Sequence, residues 1–156
     1  MISRILLKED IAFQVAQLIN RYNNLESTYT KELILHNKAN YIVESIGTRV
    51  IGCAAIEKQA YAISELKHIV VSPEARRTGI ASYLVSSAIS KSQTPLIYAT
   101  VREDNPASQK LLEKRGFSSV GFYTTEKRDV KLYVITSKKW INFDLDNAHK
   151  NGILQC

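Results

Sequence analysis

A chain of 156 residues that is 45% hydrophobic and 23% charged has the composition of an ordinary globular protein and a length suited to one core, which excludes disordered and fibrous classes. Its net charge of +6 comes from lysines and arginines spread from Arg4 to Lys150 without a long basic run; such dispersed charge, lacking base-stacking aromatics among clustered cations, argues against nucleic acid. Two cysteines, Cys53 and Cys156, form neither a disulfide framework nor a metal-ligand spacing, and no stretch has signal-peptide or membrane-spanning length, so a cytoplasmic, metal-free setting with no membrane partner is expected.

The segment SRILLKED (3–10) reads as a short strand. EDIAFQVAQLINRYN (9–23) places Ile11, Val15, Leu18, Ile19 and Tyr22 at helical spacing behind a capping-type Asp10. TYTKELILHNK (28–38) can make a second helix after Ser27 or Thr28, and two apolar strands flank a Gly-Thr-Arg turn at 47–49. AISELKHIVVSP is a further strand, GIASYLVSSAISKS a helix, PLIYATVRE a strand, and NPASQKLLEKRGF a helix ending at Gly116. SSVGFYTT and DVKLYVIT close as a strand pair, while the tail 137–156, with Trp140, shows no assignable element. With no repeat, low-complexity tract or linker, 1–156 reads as a single domain. The order β-α-α-β-β-β-α-β-α-β-β mixes hairpins with helical crossovers and predicts an α/β (α+β) fold with a mixed sheet.

One junction carries chemistry. In SPEARRTGIASYL (72–84) a proline ends a strand, two arginines and a glycine follow, and a helix begins. A helix start presents unpaired backbone N–H groups and positive dipole, so such a turn suits an anion. Gly79 lets a phosphate approach the backbone, Ala81 keeps the next turn small, and an arginine adds a charge-assisted bond. A Walker loop and a dinucleotide fingerprint are both excluded, since 76–81 has one glycine and no lysine.

These residues resemble the GNAT superfamily of acyl-CoA-dependent N-acetyltransferases. Its signature [RQ]-x-x-G-x-[GA] matches Arg76, Gly79 and Ala81, the preceding strand has the family's V-x-P ending at Val71-Ser72-Pro73, and 105–117 resembles its asparagine-led helix closing on Gly-Phe. The resemblance implies a splayed central sheet flanked by helices, with acetyl-CoA as co-substrate. It implies that Arg76, Arg77, Thr78, Gly79, Ile80, Ala81 and Ser82 hold the CoA pyrophosphate. Ile69, Val70 and Val71 would pair with the pantetheine arm, and Asn105 would contact that arm. The implied partner is an amine-bearing small molecule or protein substrate, and a homodimer is compatible with it.

Acetyl transfer needs a neutral amine, so a group must take its proton. Glu65, eleven residues before Arg76, matches the catalytic glutamate of some family members. His68 has a suitable ordinary pKa, but strict strand alternation puts it on the opposite face from Glu65 unless a bulge intervenes; Glu44, on an earlier strand, ranks third. Where many relatives carry a proton-donating tyrosine, four residues before the glycine of Gly-Phe, this chain has Leu112, so Tyr98, Tyr123, Tyr133 or solvent would substitute. Cys53, Tyr22, Tyr29 and Tyr61 read as packing residues. The function expected is acetyl transfer to a primary amine by direct attack in a ternary complex, the alternative being a weak or inactive acyl-CoA-binding regulatory module. The loops 22–30 and 123–129 are expected to set the acceptor.

Overall fold

The computed structural model describes residues 2–23 and 25–136, with side chains from residue 8 onward. Its first element corrects the sequence reading: 3–10 is not a strand but the opening of α1 (Ile2–Tyr22). No glycine or proline interrupts 2–22. Once the amphipathic stretch from Ile11 nucleates a helix, each further residue adds a hydrogen bond at small cost, so the helix runs through Asp10 rather than starting there. Asp10 instead accepts from Gln14 Nε2 one turn onward, at 2.9 Å. The second helix, α2 (Lys31–His36), begins where Thr30 Oγ1 accepts from Leu33 N.

The strands are β1 (Asn40–Ile46), β2 (Arg49–Lys58), β3 (Ile63–Val71), β4 (Leu96–Arg102), β5 (Ser118–Thr124) and β6 (Asp129–Thr136), with α3 (Ile80–Lys91) and α4 (Pro106–Lys114) as crossovers. They form one mixed sheet in the order β1-β2-β3-β4-β6-β5, antiparallel except between β3 and β4. Alternation along the strands feeds two apolar layers. On one face Val15, Ile19 and Ile34 of α1 and α2 meet Val50, Cys53 and Val70. On the other, Leu84, Val85 and Leu112 of α3 and α4 meet Ile51, Leu66, Ile97 and Tyr133. Each large side chain so buried contributes roughly 1.5–3 kcal/mol. The tail 137–156 lies outside the described residues, among which no helix is long and apolar enough to cross a membrane.

Two irregularities in β3 shape the middle of the sheet. It pairs with β4 only at Ile63↔Leu96, Ser64↔Ile97 and Glu65↔Tyr98, and beyond Glu65 the two strands part. On its other side Cys53 faces Val70 while Ala55 faces Lys67, so His68 and Ile69 together oppose Ala54. That is a β-bulge, and His68 takes its strain with a φ of 53°.

Helix α3 lies close on β2 because position 52 has no side chain. A Cβ on Gly52 would stand 3.1 Å from Leu84 Cδ1, 3.2 Å from Ile80 Cγ2 and 3.3 Å from the Val70 carbonyl oxygen. Gly52→Val should therefore cost about 1–3 kcal/mol through overpacking, read as a lower midpoint with unchanged slope in urea unfolding.

Candidate active site

The turn between β3 and α3 is built from its own residues. Pro73–Ala75 make one 3₁₀ turn, Thr78 Oγ1 closes the loop by donating to the Ala75 carbonyl at 2.6 Å, and Gly79 caps α3 with a φ of 87°. Arg77 is also left-handed, with a φ of 64°. Arg76 Nε donates to the Val71 carbonyl at 3.1 Å, and its guanidinium lies 5.5 Å from the ring centre of Tyr22. This pins the loop to the end of β3 and to α1. A Cβ on Gly79 would meet nothing within 4 Å, so the helix start is open to solvent.

The parted strands enclose two cavities. One, of about 570 Å³, runs from Arg76, Arg77, Gly79, Ala81 and Ser82 along Ile69, Val70 and Val71 to Asn105. Thr78 and Ile80 do not line it: the first closes the loop, and the second packs on the core. Ser72 N donates to the Ile51 carbonyl at 2.8 Å, so by alternation Val70 turns its backbone to β2 while Val71 turns toward the gap. Asn105 caps α4, its Oδ1 accepting from Ser108 N. The other cavity, of about 430 Å³, is lined by Tyr29, Glu65, Lys67, His68, Tyr123 and Arg128 among others. Both share Asn23, Ile69, Arg102, Asn105 and Ser108, so they form one groove through the fork.

Glu65, Lys67 and His68 all line the second of these cavities. The bulge is what brings His68 onto the side of Glu65, the exception to strict alternation. Glu65 stands at the vertex where β3 leaves β4; its Oε2 accepts from Gln59 Nε2 at 2.9 Å and lies 3.6 Å from Lys67 Nζ. Lys67 also donates to Glu57 Oε2. Burial works against its ammonium, but the Glu57 hydrogen bond and the Glu65 charge outweigh it and hold the pKa above the ordinary value. His68 is 8% exposed, with Nε2 2.9 Å from Tyr29 Oη and Nδ1 2.9 Å from Tyr41 Oη. Burial first, then the Lys67 charge, lower its pKa to about 4. Tyr29 and Tyr22 thus belong to the site as well as to the packing, through partners far away in sequence that no local pattern marks. Glu44 lies on β1 and lines neither cavity.

A family model for the acetyltransferase (GNAT) family matches residues 10–117, which include the loop, the fork and Glu65. The chain belongs to the GNAT acetyltransferase family. Among solved structures it resembles a mutant form of spermidine N-acetyltransferase SpeG of Vibrio cholerae at 22% identity and a TM-score of 0.69, covering 86% of this chain and 95% of that one. It resembles Ard1 of Thermoplasma volcanium at 19% identity and a TM-score of 0.68, over 80% and 92%. The ribosomal-protein-S18-alanine N-acetyltransferase of Escherichia coli follows at 16% and 0.66, over 81% and 87%. At these identities the likeness shows the fold. No curated protein sequence matches the chain.

GNAT acetyltransferases use acetyl-CoA as co-substrate, and no cluster among the described residues is suited to a metal ion. Leu112 of this acetyltransferase has a packing role. It is fully buried, and α4 ends with Phe117 N donating to its carbonyl and Gly116 N to that of Glu113, a Schellman closure in which Leu112 meets Phe117 in the core. Of the tyrosines considered as substitutes, Tyr123 lines the groove. Tyr133 is buried with its hydroxyl on Glu113, and Tyr98 pairs with Glu65 across the fork without lining either cavity. Cys53 is buried and its thiol pushed up to about 12 by that burial, so it packs and does not attack.

The neutral imidazole couples folding to pH. Unfolded, His68 takes a proton below its ordinary 6.5; folded, it resists until about 4. The unfolded state therefore binds more protons in that window, and stability is full above it and lost as pH falls through it, by up to about 3 kcal/mol. Urea unfolding at stepped pH should show this slope, and His68→Gln should flatten it.

Proposed function

We propose that this acetyltransferase moves the acetyl group of acetyl-CoA to a primary amine by direct attack within a ternary complex, with Glu65 taking the amine's proton. The observation that carries the reading is the fork. One groove links an anion-suited helix start to a glutamate at the vertex, past a strand edge that β4 leaves unpaired.

The residues present fit CoA. Backbone amides of 77–82, with the Arg76 and Arg77 charges, suit a pyrophosphate at a helix N-terminus. The gap-facing backbone of Ile69 and Val71 suits the pantetheine amides in the manner of an added strand, and Asn105 keeps its side-chain NH₂ for the same arm. Glu65, with Oε2 held by Gln59 and Lys67, turns to Oε1 for the proton. Glu65 takes a proton from the bound ammonium, the freed nitrogen lone pair attacks the thioester carbonyl carbon, the C–N bond forms as C–S breaks with the electron pair leaving on sulfur, and the second N–H proton passes from the acylated nitrogen to the thiolate or to solvent. Lys67 stays charged and has no lone pair to offer, and both ring nitrogens of His68 are taken up by Tyr41 and Tyr29, so neither competes as base. Leu112 supplies no acid, and a thiol with a pKa of about 8.5 leaves as thiolate without one. Holding both substrates in the groove supplies the larger part of the acceleration.

Two variants separate binding from chemistry. Gly79→Glu places a bulky anion on a left-handed backbone at the helix start, and isothermal titration should show acetyl-CoA affinity falling at least about tenfold, since one lost charge-assisted contact with added repulsion exceeds about 1.4 kcal/mol; unchanged affinity removes the loop from the CoA site. General-base help is worth about 10² to 10⁴ in rate, so Glu65→Gln should lose well over tenfold in kcat at pH 7. It should recover in part as rising pH deprotonates the amine, with CoA affinity little changed. A wild-type protein that binds acetyl-CoA yet releases no thiol with any amine is a binding module instead.

A further inference from the structure

We propose that Tyr29 sets acceptor specificity: a hydrogen-bond chain beginning at Asn37 turns its hydroxyl proton into the groove, where it donates to an oxygen atom carried by the amine substrate. The proposal rests on reading the cavity beside Glu65 as the acceptor's place.

The direction of the chain follows from its fixed end. Ala39 N–H donates to Asn37 Oδ1 at 3.1 Å, which orients that side-chain amide, so Asn37 Nδ2 is the donor to Tyr41 Oη at 3.1 Å. Tyr41 then has one proton to place, and His68 Nδ1 lies 2.9 Å from its hydroxyl. A neutral imidazole that accepts at Nδ1 carries its single proton on Nε2. Nε2–H donates to Tyr29 Oη at 2.9 Å, and the remaining proton of Tyr29, which lines the cavity, is left for a ligand. Running the chain backwards would leave the Tyr41 proton without an acceptor in a half-buried site, at a cost of about 1–3 kcal/mol.

The charged groups around the cavity leave that hydroxyl as its directed donor. The cations are paired: Lys67 with Glu57 and Glu65, Arg102 with Asp104 at 3.1 Å, and Arg128 with Glu26. Of the two carboxylates that line it, Glu26 is held by Lys127 and Arg128 at 3.7 and 3.5 Å, and Glu65, with Oε2 held by Lys67 and Gln59, keeps Oε1 for the reacting amine. A site with one carboxylate oxygen for the reacting nitrogen and a hydroxyl donor beside it matches an amine that carries a carbonyl or carboxylate oxygen, as an amino acid or a peptide N-terminus does. It does not match a polyamine, whose polar atoms are all ammonium donors.

Side-chain ¹⁵N spectra of the full-length protein at pH 7 test the chain without reference to activity. His68 should show a pyrrole-type Nε2 and a pyridine-type Nδ1, and Tyr41→Phe should weaken that preference; an Nδ1–H tautomer or a doubly protonated ring overturns the proposal. Specificity is read as the ratio of kcat/KM for alanine amide to that for n-propylamine, followed by thiol release, with glycylglycine and spermidine as further arms. The wild type should prefer the oxygen-bearing acceptors, and Tyr29→Phe should cut the ratio about tenfold, the worth of one hydrogen bond. A wild type that favours propylamine or spermidine, or a Tyr29→Phe ratio equal to wild type, overturns it. If no amine is acetylated, the transfer reading fails, and the His68 tautomer alone decides the chain.

Discussion

Beyond Glu65 the strand β3 keeps its hydrogen bonds to β2 and gives up those to β4, and the rest of the site is arranged around that gap. Parting two strands inside a sheet is costly, because each buried backbone group left without a partner forfeits about 1–3 kcal/mol. The fork persists because β3 is clamped from both faces: Val70 is buried under α1, and Leu66 and Val71 under α3. One of the freed groups is already satisfied from within, since the Val71 carbonyl takes the Arg76 Nε–H.

The bulge at His68 is the second consequence of the same strand. Two residues of β3 against one of β2 put a neutral imidazole, a charged ammonium and a carboxylate on a single wall. The surroundings of the lysine and the histidine reinforce the charge states that their residue types favour at neutral pH. Burial between two tyrosines keeps His68 uncharged, while the carboxylates of Glu57 and Glu65 hold the proton on Lys67. Lys67 and His68, adjacent in sequence, thus have their protons assigned before any substrate arrives.

Sequence made the turn between β3 and α3 legible because its features are local: a proline, a left-handed glycine and a helix start lie within eight residues of one another. The apolar stripes of α1 and α3 were equally plain, as was the C-terminal glycine of α4. The opening strand was misread because 3–10 contains no breaker, and its apolar run fits strand or helix until the neighbouring helix extends into it. Strict alternation put His68 on the wrong side of β3, and the bulge it allowed for is what the structure has. That bulge depends on a missing residue in the partner strand, and no glycine marks the positive φ. The role of Tyr29 was hidden for a related reason, since its partner lies 39 residues away. Leu112 was legible as an absence, and only the Schellman closure shows that it is held there by packing against Phe117.

Arg77 sits in the left-handed region, where a glycine would be relaxed and a long side chain is not. The chain keeps a strained residue on a loop whose neighbour at 79 already uses glycine, and such strain is of order 1–3 kcal/mol. A glycine at 77 would make the free protein more stable and this helix start less positive. Thermal robustness and the positive charge of the turn are therefore opposed at this position, and selection for stability alone would move the residue in a direction that removes the charge.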